Sequence, residues 1–297
     1  MKIALFGKNG QVGWELQRSL APLGELIALD SRSTDYCGDF LDPEGIRQTI
    51  LSIKPDIIVN AAAYTAVDKA ESDAETAHIV NSVTPGVLAE AAAACGAWLI
   101  HYSTDYVFPG DGTTPWVEDD NTAPLNTYGR TKLEGEQHIA RACDKYLIFR
   151  TSWVYASRGN NFAKTMIRLG KQRETLAVIN DQYGAPTSAE LLADCTAHAL
   201  MLIQQKAQLA GIYHLAAAGE TTWYEYAQYV FETVKAEAEL TVTQVNAVPT
   251  SAYPTPARRP QNSRMNCDKF QHAFGLTLPH WKQGVNRMLD ELYSITL

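Results

Sequence analysis

The chain has 297 residues, 46% hydrophobic and 20% charged, the balance of a globular protein with one large domain or two smaller ones. A net charge of −8 argues against a broad basic face for nucleic acid, but leaves room for a phosphate-bearing small ligand held by a few amides and one Arg. No apolar run reaches membrane-spanning length, and Met1-Lys2 leads straight into "IALFG" without a signal-peptide core. The five cysteines (Cys37, Cys95, Cys143, Cys195, Cys267) form no C-x-x-C. The expectation is a cytoplasmic protein with free thiols, no disulfide framework, no zinc site and no membrane partner.

"KIALFG" (2–7) reads as a strand buried on both faces. "GKNGQVG" (7–13) follows it and opens a helix over 11–21, so Gly7, Gly10 and Gly13 stand where a tight turn lets a pyrophosphate reach a helix N-terminus, beside Gln11 and Val12. Three glycines can also mark a plain turn; their placement after the first strand favours the dinucleotide reading. "ELIALD" (25–30) is the second strand. It ends in Asp30, 17 residues past Gly13, where a carboxylate can meet the adenosine ribose hydroxyls of NAD. Arg32 could meet a 2′-phosphate instead, which leaves NADH and NADPH both open. "CGDF" (37–40) offers Asp39 and Phe40 to an adenine edge and face, with a helix N-cap at Asp39 or Asp42 as the competing role.

A helix over 43–53 leads to "DIIVNAAA" (56–63), the third strand. Ala61, Ala62 and Ala63 allow a flat cofactor close to the backbone, bordered by Tyr64, Thr65 and Val67, or they mark tight packing alone. Asp68, Lys69 and Glu71 read as a charged helix start. After a helix within 76–95, "WLIHYSTD" (98–105) ends with Ser103, Thr104 and Asp105, at the carboxyl end where ligands of such sheets bind, though each also suits a turn cap. "NTYGRTKLEGE" (126–136) opens a helix over 128–142 with Tyr128 and Lys132 one turn apart. A phenol titrates near ~10. A nearby ammonium, joined by an oxidised nicotinamide, would lower that value and make Tyr128 a proton donor to a carbonyl oxygen. "YLIFRTSWVY" (146–155) is the fifth strand. Alternating strands and helices predict an α/β fold, a doubly wound parallel sheet of Rossmann type.

Beyond Tyr155 the pattern predicts helices over 160–171, 187–205, 222–237 and 279–293, and short strands near 176–180, 211–216 and 241–246. "NAVPTSAYPTPARRPQNSRM" (246–265) reads as an ordered loop against a ligand cleft, a solvated linker being the alternative. The expected division is a dinucleotide-binding domain over 1–155, rejoined by about 185–218, and a smaller substrate lobe from about 156–184 and 219–297.

These motifs, with "NAAAYTAVDKAE", "YSTDYVFPG", "YGRTKLEGE", "RTSWVY", "NNFAKTM", "DQYGAPT" and "RPQNSRM", resemble the extended short-chain dehydrogenase/reductases over essentially the whole chain, and within them the dTDP-4-dehydrorhamnose reductase family. The resemblance implies reduction by NADH or NADPH of a 4-keto dTDP-sugar to dTDP-L-rhamnose, the last step in making a donor for surface polysaccharide. It implies Tyr128 as proton donor, Lys132 as its tuner and ribose anchor, and Thr104 on the carbonyl oxygen. Asp105 and Trp153 would meet the sugar, Arg259 a nucleotide phosphate, Asn161 and Phe162 the substrate lobe, and Tyr102 the cofactor. It further implies a homodimer with a magnesium ion at the contact, through Glu15, Glu190 and Glu291. A sibling dehydratase would carry Glu after Thr104-Asp105, where this chain has Tyr106; an epimerase would need a second base. A non-catalytic dinucleotide-binding subunit, such as the regulatory subunit of methionine adenosyltransferase, has no need of the Thr104, Tyr128 and Lys132 set.

Overall fold

A computed structural model describes residues 1–293; residues 294–297 of the expected second lobe lie outside the described residues. In chain order the elements are β1 (Lys2–Phe6), α1 (Gln11–Leu20), β2 (Glu25–Leu29), α2 (Pro43–Ile53), β3 (Ile57–Asn60), α3 (Val67–Ala70), α4 (Ala74–His78), α5 (Thr84–Cys95), β4 (Trp98–Thr104), α6 (Thr127–Ala142) and β5 (Tyr146–Thr151). There follow β6 (Val154–Tyr155), α7 (Phe162–Gly170), β7 (Thr175–Ile179), β8 (Tyr183–Gly184), β9 (Thr187–Ser188), α8 (Ala189–Ile203) and β10 (Gly211–His214). The last are β11 (Thr221–Thr222), α9 (Trp223–Thr233), β12 (Gln244–Val248), α10 (Asp268–Phe274) and α11 (Trp281–Tyr293).

Six strands form one sheet in the order β10-β5-β4-β3-β1-β2, every adjacent pair parallel. Successive side chains of β1 face opposite ways, as the strand period requires. Ile3 and Leu5 pack with α1, α8 and α10 through Leu16, Leu192 and Phe270. Ala4 and Phe6 pack with α2, α5 and α6 through Ile50, Leu88 and Ile139. Each buried aliphatic or Phe side chain contributes ~2 kcal/mol, so the two layers of helices hold the sheet rigid beneath its carboxyl-end loops. The neighbours of β1 are β2 on one side and β3 on the other, so the loop after β1 lies at the switch point of the sheet.

Two expected elements are interrupted. The helix expected within 76–95 contains a wider π turn over Ile79–Val83, where the Thr84 N–H reaches back five residues to the Ile79 carbonyl. Pro85 has no N–H to return to the Asn81 carbonyl, and that carbonyl instead lies against Gly135 of α6. The strand expected over 146–155 ends at Thr151, because Trp153 adopts a left-handed backbone (φ 49°) that turns the chain out of the sheet. Val154 and Tyr155 then pair with β9 instead of continuing β5.

The chain re-enters the sheet through α8, against α1, and β10, beside β5. The rest of the second half has its own cores. One gathers Tyr155, Ile167, Tyr226, Val230 and Trp281 around α7, α9 and α11. The other sets Leu176 and Val178 of β7 against Phe231. The 246–265 segment is ordered: it begins in β12, paired parallel with β7, and its later residues wall a cavity.

Candidate active site

The glycine-rich turn is set by backbone contact. Gly7 has φ +83° and packs on the Ala61–Ala62 backbone; a Cβ on Gly13 would run into the Gly7 carbonyl. Only Gly10, the N-cap of α1, belongs to the cavity that opens above the turn, together with Gln11 and Val12. That cavity holds about 410 Å³ and brings together Ala61, Ala63, Thr65, Tyr102, Thr104, Asp105, Tyr128, Lys132 and Trp153, from four separate strand ends and helix starts.

Tyr128 is held by a well-anchored helix start. Asn126 caps α6 by accepting the Gly129 N–H at 2.8 Å, and Glu71 accepts the Thr127 N–H at 2.7 Å. The Tyr106 ring meets the Tyr128 ring edge to face at 5.7 Å. Burial pushes the Tyr128 phenol up to about 12, with Thr104 pulling the other way and Asp105 adding to the rise. The lowering expected from sequence belongs to the complex with an oxidised nicotinamide; in the free chain burial dominates. The Lys132 Nζ is meanwhile engaged with the Tyr102 carbonyl at 2.5 Å and His101 at 3.1 Å. Burial lowers Lys132 itself to about 8. Thr104 donates to Asp105 at 3.1 Å. Burial raises Asp105 to about 7, against the Ser263 and Thr104 hydrogen bonds. Asp105 Oδ2, Ser103 Oγ and Thr151 Oγ1 are buried without a protein partner, and all three residues line the cavity. That donor and acceptor set fits a polyhydroxylated ligand.

A second cavity of about 470 Å³ lies in the C-terminal half, lined by Phe162, Arg173, Gln182, Thr250, Tyr253 and Arg259 among others. Trp223 lines both cavities. It stacks on Trp153 at 3.6 Å between ring centres and donates to Gln182 at 3.0 Å.

The profile of the family described as "RmlD substrate binding domain" matches residues 1–294. The dTDP-4-dehydrorhamnose reductase of Escherichia coli K12 is 65% identical over all of this chain and 99% of its own length. The chain belongs to the dTDP-4-dehydrorhamnose reductase family. Two crystal structures from it superpose closely. The Clostridium acetobutylicum enzyme has a TM-score of 0.88 at 35% identity, over 98% of this chain and 99% of its own. The Bacillus anthracis enzyme, in complex with NADP, has a TM-score of 0.87 at 35% identity, over 98% of this chain and 100% of its own. The α/β sheet is thus the family's fold, and the chain is an NAD(P)H-dependent oxidoreductase.

Other expected site residues have protein partners in the free chain. Phe40 is in the core, its ring edge-on to Phe6 at 5.6 Å, so it offers no face to adenine. Asp39 caps a turn through the Leu41 N–H. Asp30 lies at the rim, bonded to Asn9 and Ser33 and 3.9 Å from Lys8. Ala62 donates to Asn60, the Tyr64 hydroxyl bonds Asp73, and the Tyr102 hydroxyl is turned to Thr196 in α8. Asn161 caps α7, bonds the Ala156 carbonyl and reaches Gln11 of the cavity at 3.4 Å. Arg259 is paired with Asp68 at 2.7 Å, a partner its sequence position did not suggest.

The magnesium expectation finds no support in the single chain. Glu15 is raised by burial and then by the charges of Glu190 and, less, Glu291, so these carboxylates are neighbours. But Arg287 holds Glu190 at 2.9 Å and Arg18 holds Glu15 at 3.4 Å. No group of three His, Cys, Asp or Glu side chains among the described residues is placed to hold a metal ion. Trp223 and Arg173 carry no motif and lie far along the chain from the glycine-rich turn; Gln182 lies in "DQYGAPT" but was not singled out as a site residue.

Proposed function

We propose that the protein reduces the 4-keto group of dTDP-4-dehydro-β-L-rhamnose to give dTDP-β-L-rhamnose, with Tyr128 as the proton donor. The observation that carries this reading is one cavity shared by Tyr128, Lys132, Thr104 and the Gly10–Val12 turn. NADH or NADPH, bound along Gly10, Gln11, Val12, Ala61, Ala63 and Thr65, supplies the hydride that goes to C4. Tyr128 releases its proton to the carbonyl oxygen as that oxygen becomes an alkoxide, while Thr104 holds the same oxygen by a hydrogen bond. The high pKa of the free phenol keeps it protonated until that moment. Lys132 then faces a new phenolate and stabilises it by charge. Asp105 and Ser103 take sugar hydroxyls, and Trp153 borders the ring.

The diphosphate and base extend into the second cavity. Arg259 and Arg173 supply positive charge there, and the Arg259 fork suits a phosphate once it exchanges Asp68 for it. Residues 1–155 with about 185–218 act as the cofactor unit, and about 156–184 with 219–297 as the sugar-nucleotide lobe. The five free cysteines and the lack, among the described residues, of a helix long and apolar enough to cross a membrane support a cytoplasmic setting. We read the assembly, from family resemblance, as a homodimer, which light scattering checks directly. Purified chain, NADPH and the dTDP-4-keto sugar should together give loss of the nicotinamide absorbance and dTDP-rhamnose as product. Cofactor binding without turnover would favour a partner-type binding subunit instead.

A further inference from the structure

Asn60 at the end of β3, His101 in β4 and Lys132 in α6 form a buried polar chain, 1%, 1% and 2% exposed. Its direction follows bond by bond. The Ala62 backbone N–H donates to Asn60 Oδ1 at 3.0 Å, which fixes the oxygen end of the amide. The other end, Nδ2, faces His101 Nδ1 at 2.9 Å. An amide nitrogen can only donate, so Nδ1 carries a lone pair and no proton. Burial alone holds the imidazole well below its ordinary pKa, so the ring is neutral and its single proton sits on Nε2. Nε2 points at Lys132 Nζ, 3.1 Å away. A proton aimed there needs a lone pair on Nζ, which an amine has and an ammonium lacks. Nζ in turn donates to the Tyr102 carbonyl at 2.5 Å.

We propose that Asn60 and His101 are positioning residues that hold Lys132 as a neutral amine in the free protein, so that the side chain one turn from Tyr128 is a proton acceptor until a ligand reverses the chain of hydrogen bonds. Charging Lys132 in place requires the imidazole proton to move to Nδ1 and the Asn60 amide to turn over, giving up the Ala62 bond. The groups facing Nζ agree on this balance. Glu136, one turn further along α6, favours the ammonium, but it is itself bound by Arg150 at 2.7 Å. His101 opposes it from β4, Tyr128 stands one turn back, and the Tyr102 hydroxyl is turned away. Burial moves the Lys132 titration downward, in the direction of the neutral amine.

The inference rests on reading Lys132 as the partner of Tyr128, but its tests need no turnover. In ligand-free protein labelled with ¹⁵N-histidine, the His101 ring nitrogens should report the Nε2–H tautomer at neutral pH; the Nδ1–H tautomer or an imidazolium would overturn the proposal. Asn60→Asp keeps the shape and the Ala62 bond but accepts from Nδ1, reversing the chain. The Lys132 titration, followed by ¹³C-lysine spectra, should then rise by about one unit or more. His101→Gln, free to turn its carbonyl to Nζ, should move the same titration upward and serves if the first variant does not fold. An unmoved midpoint in the folded variant refutes the proposal. Because these readouts use no substrate, a failed reductase assay would count against the catalytic reading and leave the tautomer result standing.

Discussion

The two cavities are built in opposite ways. The one above the sheet is lined from strand ends and helix starts: Gly10–Val12, Ala61, Ala63 and Thr65, Tyr102–Tyr106, Tyr128 and Lys132, and Thr151–Val154. The one in the C-terminal half is lined by β7 along its whole length, by α7, by Trp223 of α9 and by the 246–265 segment, with Asp68 reaching in from the first half. A site at the crown of a rigid parallel sheet inherits its geometry from the fold, whereas the second depends on how separate small cores come together. The first should therefore answer to substitution with loss of chemistry or of the fold, and the second with graded loss of affinity.

The sharpest contrast is at Gly13. A Cβ there meets the Gly7 carbonyl, so Gly13→Ala should cost about 3 kcal/mol or more of stability, seen as a lower Tm with cofactor binding lost. A variant as stable as the parent would mean the turn can relax. Next is Tyr128→Phe, which should cut kcat ~10²-fold or more with cofactor affinity nearly intact, measured by steady-state kinetics and calorimetry. Near-parent turnover would remove Tyr128 from the mechanism. In the other cavity, Arg259→Ala should weaken sugar-nucleotide binding ~10-fold and leave NAD(P)H binding close to unchanged. Equal loss for both ligands would point to a folding defect, because Asp68 is left without its partner.

The smallest effect is on pH. The Asp105 carboxyl is raised to about 7 in the fold, so its neutral form is the favoured one. Its contribution to stability is full below the ordinary carboxyl pKa and is lost as pH rises through 7. Asp105→Asn should flatten that part of the stability curve by ~1 kcal/mol or more between pH 4 and 8. A curve of unchanged slope would mean the carboxyl is already paired by solvent.

The same contrast explains what could be read in advance. Strand runs and the G-x-x-G-x-x-G turn announce themselves by local pattern, and the Tyr128–Lys132 spacing fixes one helix face. Interruptions were not legible, because they arise from a single backbone event: a left-handed Trp153, or a proline that cannot return a bond to Asn81. Phe40 misled because an aromatic after a turn looks the same whether its ring meets a ligand or Phe6. The ionisation of Tyr128 in the free chain was hidden for a related reason. The spacing shows a lysine one turn away but does not show that the Tyr102 carbonyl and His101 already occupy it. Trp223 could be found only in three dimensions, where a first-turn residue of α9 reaches back across the chain.

That Trp223 indole is a common wall. It belongs to a helix anchored in the C-terminal cores, yet one of its faces lies flat on Trp153 at the rim of the sheet. Moving α9 to admit a nucleotide would reshape the compartment where hydride and proton are exchanged, and filling that compartment would press back on α9. Occupancy on the two sides is then linked in both directions by equal free energies, as any shared partition requires.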